Sequence, residues 1–281
     1  KDAEGNDKPA SEKVDIVKIE VQETADDNIA ISSNNATKPV IIDMAGKDLA
    51  VSSTTKGENK EAKGIAATNG AAVTINNAGN ITIKANSENG SASAIHAQGT
   101  DNDNKASVLI DNAKSETNAG GTVMLRAEGK GNEPVLNAGS HADVNITGKV
   151  DITNTNGNVA VSVGEGSTVA IGGGVIGDKA TSENEDNVAI HIDGGKLSIN
   201  ANGDETVVIN GKIVLGKVPE PVMMKAFRMS RAIIVPTETK IILNGKESSV
   251  NDDVQYLGSG ENDFDMELSN GATWTGNSTG G

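Results

Sequence analysis

A three-stroke repeat recurs six times along this chain without a break. The first stroke is an Ile or Val after a polar, Gly or small step: Ile29, Ile65, Ile95, Val135, Val159 and Val188. The second follows about ten residues later and reads Val/Leu-x-Ile or a close variant: Val40-Ile41-Ile42, Val73-Thr74-Ile75, Val108-Leu109-Ile110, Val144-Asn145-Ile146, Val169-Ala170-Ile171 and Leu197-Ser198-Ile199. The third comprises Leu49-Ala50-Val51, Ile81-Thr82-Ile83, Val123-Met124-Leu125, Val150-Asp151-Ile152, Val175-Ile176 and Val207-Val208-Ile209. Self-similarity at a held phase means that one small unit is stacked on copies of itself. Few other signals narrow a fold so far.

From Ile29 to Val188 the cycle turns five times, about 32 residues each, within the range of stacked repeats. Each stroke is short and mostly alternates apolar with small or polar residues, which is strand rather than helix periodicity. Asn-Ala-Gly, Asn-Gly, Gly-Glu-Gly and Asp-Gly-Gly lie between strokes. Gly and Asn accept positive φ, so these runs read as turns. Three strands and three turns per cycle predict one triangular coil of a parallel β-helix. A single coil cannot bury its apolar row, but a stack makes one inner column. Insertions such as 98–106 and 178–186 would bulge from corners and leave the column intact. At about 4.8 Å per coil, eight or nine coils would rise roughly 40 Å.

A β-sandwich is the competing architecture. It shares the hairpin-like spacing but does not require a three-fold phase kept across cycles.

Aromatic residues are nearly absent: Phe227, Tyr256, Phe264 and Trp274, all in the last quarter. A globular enzyme of this size usually buries several large aromatic anchors. Val, Ile, Leu and Ala suit a narrow column instead. The formal net charge of −15 disfavours nucleic acid and anionic membrane as partners. Arg126, Arg228 and Arg231 are the only arginines, so phosphate or carboxylate clamps are not expected along most of the chain. The absence of Cys excludes a disulfide scaffold and a thiolate metal site. The chain opens Lys1-Asp2-Ala3-Glu4-Gly5 with neither signal-peptide nor membrane-span pattern. We expect a processed start, with any export signal lying outside this sequence.

Four regions follow. Residues 1–27 hold an N-terminal cap or opening strand around Val17-Lys18-Ile19-Glu20-Val21, useful because an open coil end leaves backbone groups unpaired. Residues 28–216 carry the regular coils, with Ile213-Val214-Leu215 as an extra stroke. Residues 217–239 break the pattern. There Val222, Ala226, Met229 and Ile233 share a helical face, read as a short helix or loop against the stack rather than a membrane-active segment. Residues 240–281 return to rungs, with Ile241-Ile242-Leu243, an acidic loop at 251–263, and alternation in Phe264-Asp265-Met266-Glu267-Leu268.

The phrase Met266-Glu267-Leu268-Ser269-Asn270-Gly271-Ala272-Thr273-Trp274 resembles the last rungs of autotransporter (type V secretion) passenger domains. Val73-Thr74-Ile75-Asn76-Asn77-Ala78-Gly79 and Gly166-Ser167-Thr168-Val169-Ala170-Ile171 are similar to ordinary rungs of that family. The resemblance spans about 28–216 and 240–277 in style. It implies a right-handed β-helix displayed on the surface of a Gram-negative-type bacterium after export across the outer membrane. It also implies a signal peptide before residue 1 and a translocator barrel after residue 281. The segment 217–239 departs from the rung pattern.

Some members of that family carry serine-protease domains, but no Gly-x-Ser-x-Gly elbow or convincing Ser, His and Asp set occurs here. His96 and His191 should face outward by alternation, about three coils apart, and with His141 they read as solvated rather than metal-binding. Asp101-Asn102-Asp103-Asn104 offers oxygens for Ca²⁺ but lacks an EF-hand spacing. It reads as a solvated loop, as do Asp252, Asp253, Asp263 and Asp265. Polysaccharide lyases and hydrolases built on such folds need paired carboxylates, or Ca²⁺ with a base, in a groove. Lys84, Lys149 and Arg126 are the bases noted in the coils, without aromatics to stack sugars.

We therefore expect no catalytic, cofactor or metal site and a non-enzymatic adhesin. Its partners would be a host-cell or bacterial surface receptor, protein or glycan, or a sister copy, with no insertion of this segment into a membrane. Corners 98–106, 113–121 and 178–186 and the segment 217–239 are the expected contacts, individually weak and multiplied by display. The alternative is a glycan-processing β-helix enzyme; a third idea is a plain stalk.

Overall fold

The computed structural model describes residues 16–113, 120–131, 133–154, 159–178, 187–216, 237–257 and 262–279. The sequence-predicted helical face at 222–233 lies outside them, as do most of the corners at 113–121 and 178–186. In chain order the strands are β1 (Ile16–Thr24), β2 (Asn28–Ser33), β3 (Val40–Asp43), β4 (Asp48–Thr55), β5 (Ala62–Thr68), β6 (Ala72–Asn76), β7 (Ile81–Ser87) and β8 (Ala92–Gln98). Then come β9 (Ala106–Asp111), β10 (Thr122–Glu128), β11 (Leu136–Ala138), β12 (Ala142–Asn154), β13 (Val161–Val163), β14 (Thr168–Ile176), β15 (Val188–Ile192) and β16 (Lys196–Ile199). The last are β17 (Val207–Ile209), β18 (Lys212–Leu215), β19 (Thr237–Asn244), β20 (Ser249–Val250), β21 (Val254–Tyr256), β22 (Asn262–Ser269), β23 (Thr273–Trp274) and β24 (Ser278–Thr279).

Among the described residues the fold is all-β, without helix, and the strand pairings are parallel. The strands form a 15-stranded and a 9-stranded sheet, neither closed into a barrel. The smaller sheet runs β2-β5-β8-β11-β13-β15-β18-β21-β24. In the larger one β12 and β14 are long enough to serve two ladders. The first part of β12 pairs with β9 and its second part with β10. Parallel partners distant in sequence are what a β-helix or solenoid requires, and the layout is consistent with one.

Alternation sets the core. The second strokes lie in one unbroken register: Ile42, Ile75, Ile110, Ile146, Ile171, Ile199, Ile241 and Met266 are successive partners. Their x positions, including Thr74, Asn145, Ala170 and Ser198, alternate to the other face. The third strokes form a like row through Val51, Ile83, Leu125, Ile152, Ile176, Ile209 and Val250, ending at Trp274. Both rows join one buried cluster. Each fully buried Val, Ile or Leu contributes about 1.5–3 kcal/mol. β-Branching also limits rotamers, which suits side chains stacked on their own kind.

The first strokes need correction. Ile65 and Ile95 are aligned as expected, but the other members of their row are Ile31, Leu136, Val161 and Ile190. Ile29 instead pairs with Lys63 and is 39% exposed. The cause is local. In Ile29/Ile31, Val159/Val161 and Val188/Ile190 strict alternation would turn both residues inward, but the burial pattern breaks alternation and only the second joins the row; in Val135/Leu136 two adjacent apolar residues are both buried. Irregular backbone adds to this: the amides of both Ala94 and Ile95 donate to the Val135 carbonyl, and the register shifts between Val188 and Ile190.

Elsewhere the strokes extend as read. Val17 and Ile19 of β1 pair with Leu49 and Val51, and Ile213, Ile241 and Met266 continue their ladders. The acidic stretch 251–263 is not all loop, because β21 lies within it and pairs with β18. Asn69-Gly70 and Asn270-Gly271 take positive φ at both residues, as the turn reading requires. No helix among the described residues is long and apolar enough to cross a membrane.

Candidate functional site: a groove in the row of corners

The corner between the second and third strokes varies in length from rung to rung. Between Ile110 and Val123 the sequence places twelve residues, 111–122, of which 111–113 and 120–122 are described. In the next rung only Thr147, Gly148 and Lys149 separate Ile146 from Val150. In the rung after that Gly172 and Gly173 suffice before Gly174. Then 200–206 bulges again before Val207. Two short corners flanked by two long ones leave a saddle, and a groove of about 730 Å³ lies there. Its flanking corners are three rungs apart, about 14 Å.

Glycine makes the floor. A Cβ on Gly172 would fall 2.7 Å from the Thr147 carbonyl oxygen and 2.8 Å from that of Gly148. Rung-to-rung packing therefore admits no side chain there. Outward positions Asn145, Ala170 and Ser198 carry the floor onto the neighbouring ladder.

Side-chain hydrogen bonds brace both walls. The Thr147 hydroxyl accepts from the Asn112 and Ala113 amides at 3.1 and 3.2 Å and donates to Asp111 Oδ1 at 2.9 Å. On the other side Asn200 Nδ2 donates to the Glu205 and Ile242 carbonyls at 2.7 and 3.0 Å, and Asn200 Oδ1 accepts from the Glu205 amide at 3.0 Å. Lys149 Nζ lies 3.2 Å from Glu205 Oε2, a surface pair of small energetic weight that neutralises the ammonium at the rim.

Asn112 stands apart. It lines the groove, it is 1% exposed, and neither its Oδ1 nor its Nδ2 has a hydrogen-bond partner. Burying an amide unpaired costs about 1–3 kcal/mol. The residue stacked over it is Gly148, whose Cβ would lie 3.3 Å from the Asn112 side chain.

Of the positions singled out from sequence, Lys149 and the described ends of the 113–121 corner, Ala113, Gly120 and Gly121, line the groove, and the candidate site residues discussed next lie elsewhere. His96 and His191 share one row, separated by Asn137 and Ser162, so three pairing steps of about 4.8 Å keep them apart. His96 Nδ1 is 3.2 Å from Glu133 Oε1, which also accepts from Asn137 Nδ2 at 2.8 Å. The His96 bond is the chief cause holding the Glu133 carboxyl below its ordinary pKa, with help from Asn137 and the Lys63 charge and against burial. His191 Nε2 lies 3.1 Å from the Gly216 carbonyl, and His141 Nδ1 lies 3.1 Å from Asn102 Oδ1. Asp101 spends its carboxylate within its own turn, on the amides of Asp103 and Asn104 and the side chains of Asn104 and Thr100. Those bonds, the Asn104 side chain first, lower its pKa.

Asp252 caps the Asp253 amide, Asp253 holds Asn277, and across a strand pair Asp265 lies opposite Lys240 and Asp263 opposite Glu238. Arg126 is tied to Asp151 through Nη2–Oδ2 at 2.7 Å, with Lys84 beside it in register. No group of three or more His, Cys, Asp or Glu able to hold a metal ion occurs among the described residues.

Sequence reasoning missed the groove, although a signal was present. Ile146 to Val150 and Ile171 to Val175 are the two places where second and third strokes nearly abut. No protein-family model, curated protein or solved structure matches the chain.

Proposed function

We propose that this chain is a right-handed parallel β-helix with three strands per coil, acting as the displayed, non-enzymatic passenger of an autotransporter-type adhesin. In this reading it is exported across the outer membrane of a Gram-negative-type bacterium and attaches to host-cell or bacterial surfaces. The observation that supports it best is the parallel pairing of strands three places apart, as in β1 to β4 to β7 and β2 to β5 to β8, or two places apart where β12 and β14 each serve two ladders. Its inward rows are aliphatic, and many outward positions are Thr, Asn or Ser. Such a stack offers a long polar surface and corners that vary freely. Contacts made there are individually weak and gain from many displayed copies.

Cell binding by the purified chain tests the reading. Shortening the corners 98–106 and 200–206 together should lower retention on host or bacterial cells at least tenfold with the melting temperature kept. Undiminished retention removes those corners from the adhesive surface, and no retention by the parent chain refutes the adhesin reading.

One observation favours a second reading, glycan processing: Asp204, Glu205 and Lys149 line one groove. Incubation with acidic and neutral polysaccharides, with and without Ca²⁺, decides it. Product release that Asp204→Asn abolishes would replace adhesion with catalysis.

A further inference from the structure

We infer that the saddle groove is a binding site for a neutral, hydroxyl-rich saccharide, with the Asn112 amide as its buried contact. The inference rests on the display reading above and assigns its ligand chemistry. Three observations lead to it.

First, Asn112 is buried in the groove lining with both donor and acceptor unpaired. Buried amides in folded proteins are nearly always satisfied, so an orphan calls for a missing partner. An amide presents one acceptor and one donor side by side. Vicinal hydroxyls, each able to donate and accept, match that pair. Gly148 stacked over Asn112 adds no side chain in the way. Both amide atoms are buried in this structure, so contact with a ligand requires the Asn112 side chain to move.

Second, the lining selects against charge. The Lys149 ammonium is neutralised by Glu205, and Asp204 adds a further carboxylate. An anionic polymer would meet that carboxylate and a chain of net charge −15. Amides and hydroxyls such as those of Asn145, Ser198 and Asn202 supply donors and acceptors without net charge.

Third, the dimensions fit. Flanking corners about 14 Å apart leave room for a short saccharide chain laid across the glycine floor. Among the described residues the groove lining offers no aromatic platform, so affinity per site is weak, in keeping with attachment by many copies.

Titration of the whole chain with neutral hexose and N-acetylhexosamine oligosaccharides, followed by NMR or calorimetry, tests the inference. Uronic-acid oligosaccharides serve as controls. The expected result is binding of a neutral probe at least tenfold tighter than of the uronic ones. Asn112→Ala should weaken it at least tenfold and leave the melting temperature equal or higher, because it removes an orphan rather than a bond. Undiminished binding by Asn112→Ala overturns the role of the amide, and so does a lower melting temperature, which would reveal a structural partner. Should that variant fail to fold, Ala170→Tyr, at an outward position on the floor, decides whether the groove binds. Binding unaffected by that substitution overturns the site. No neutral-saccharide binding by a chain that still retains cells overturns this inference and leaves the display reading standing. Saccharide binding at the groove without cell retention does the reverse.

Discussion

Replacing Ile146 by Ala tests the aliphatic rows directly. Ile146 is fully buried and lies between Ile110 and Ile171 in one ladder. The substitution removes three carbons; at about 0.8 kcal/mol each the transfer loss alone is roughly 2.4 kcal/mol. A cavity adds to this when neighbours cannot close in. Here they cannot do so readily, because the flanking residues are β-branched and their strands are held in register by backbone hydrogen bonds. The expected cost is about 3–4 kcal/mol. Asn145, one position earlier, faces the other way, and Asn145→Ala should stay within about 0.5 kcal/mol. Urea unfolding followed by far-UV circular dichroism measures both. Hydrogen exchange adds a spatial check, since in a stacked repeat the loss of protection should concentrate in the rungs of Ile110 and Ile171. If Ile146→Ala costs less than about 1 kcal/mol, or no more than Asn145→Ala, the assignment of inward and outward faces is wrong.

Gly174 occupies an inward position between Val150 and Val207 with φ of +111°, and a Cβ there would overlap the Val150 carbonyl oxygen. Gly174→Ala should cost at least about 3 kcal/mol in the same urea experiment; an unchanged midpoint would refute the backbone geometry. Glu133 gives a pH prediction. Its folded-state pKa lies below the ordinary glutamate value of 4.5, chiefly through His96, so its contribution is present above that value and is lost as pH falls through the lowered one. Glu133→Gln should flatten the loss of stability below pH 4.5, and an identical acid profile for parent and variant would exclude the contact as its source.

Val/Leu-x-Ile is a pattern that reads correctly without coordinates. With two large aliphatic residues spaced by one, only one phase buries both, and Val73, Val108, Val144 and Val169 indeed lie in register. The first stroke offers the same spacing in Ile29-Ala30-Ile31, but there the burial pattern departs from alternation, so Ile29 is exposed while Ile31 is buried, which no reading by period two foresees. β21 escaped notice for a different reason. Val254-Gln255-Tyr256 is short and sits beside Asp252 and Asp253, which read as solvated loop. In the structure Asp253 instead receives the Asn277 amide at 2.7 Å and ties one rung to the next. Asn112 had no legible signal, since its importance lies in a partner it lacks, and hydrogen-bond satisfaction is a property of packing.

Constant columns and variable corners explain why a groove arises at all. The aliphatic rows fix where each strand must lie, so a change in chain length between them is absorbed only at a corner. Shortening a corner to Gly172-Gly173 leaves little room for side chains, because the carbonyls of Thr147 and Gly148 crowd a Cβ on Gly172 and the Glu205 side chain crowds one on Gly173. A concavity and a bare backbone floor are therefore one consequence of the same packing constraint. Selection on corner length can reshape such a site without disturbing the core. Buried positions would vary little in character while the saddle and its walls vary widely. Recognition on this scaffold is then to be sought where the rungs differ, between Ile146 and Val207.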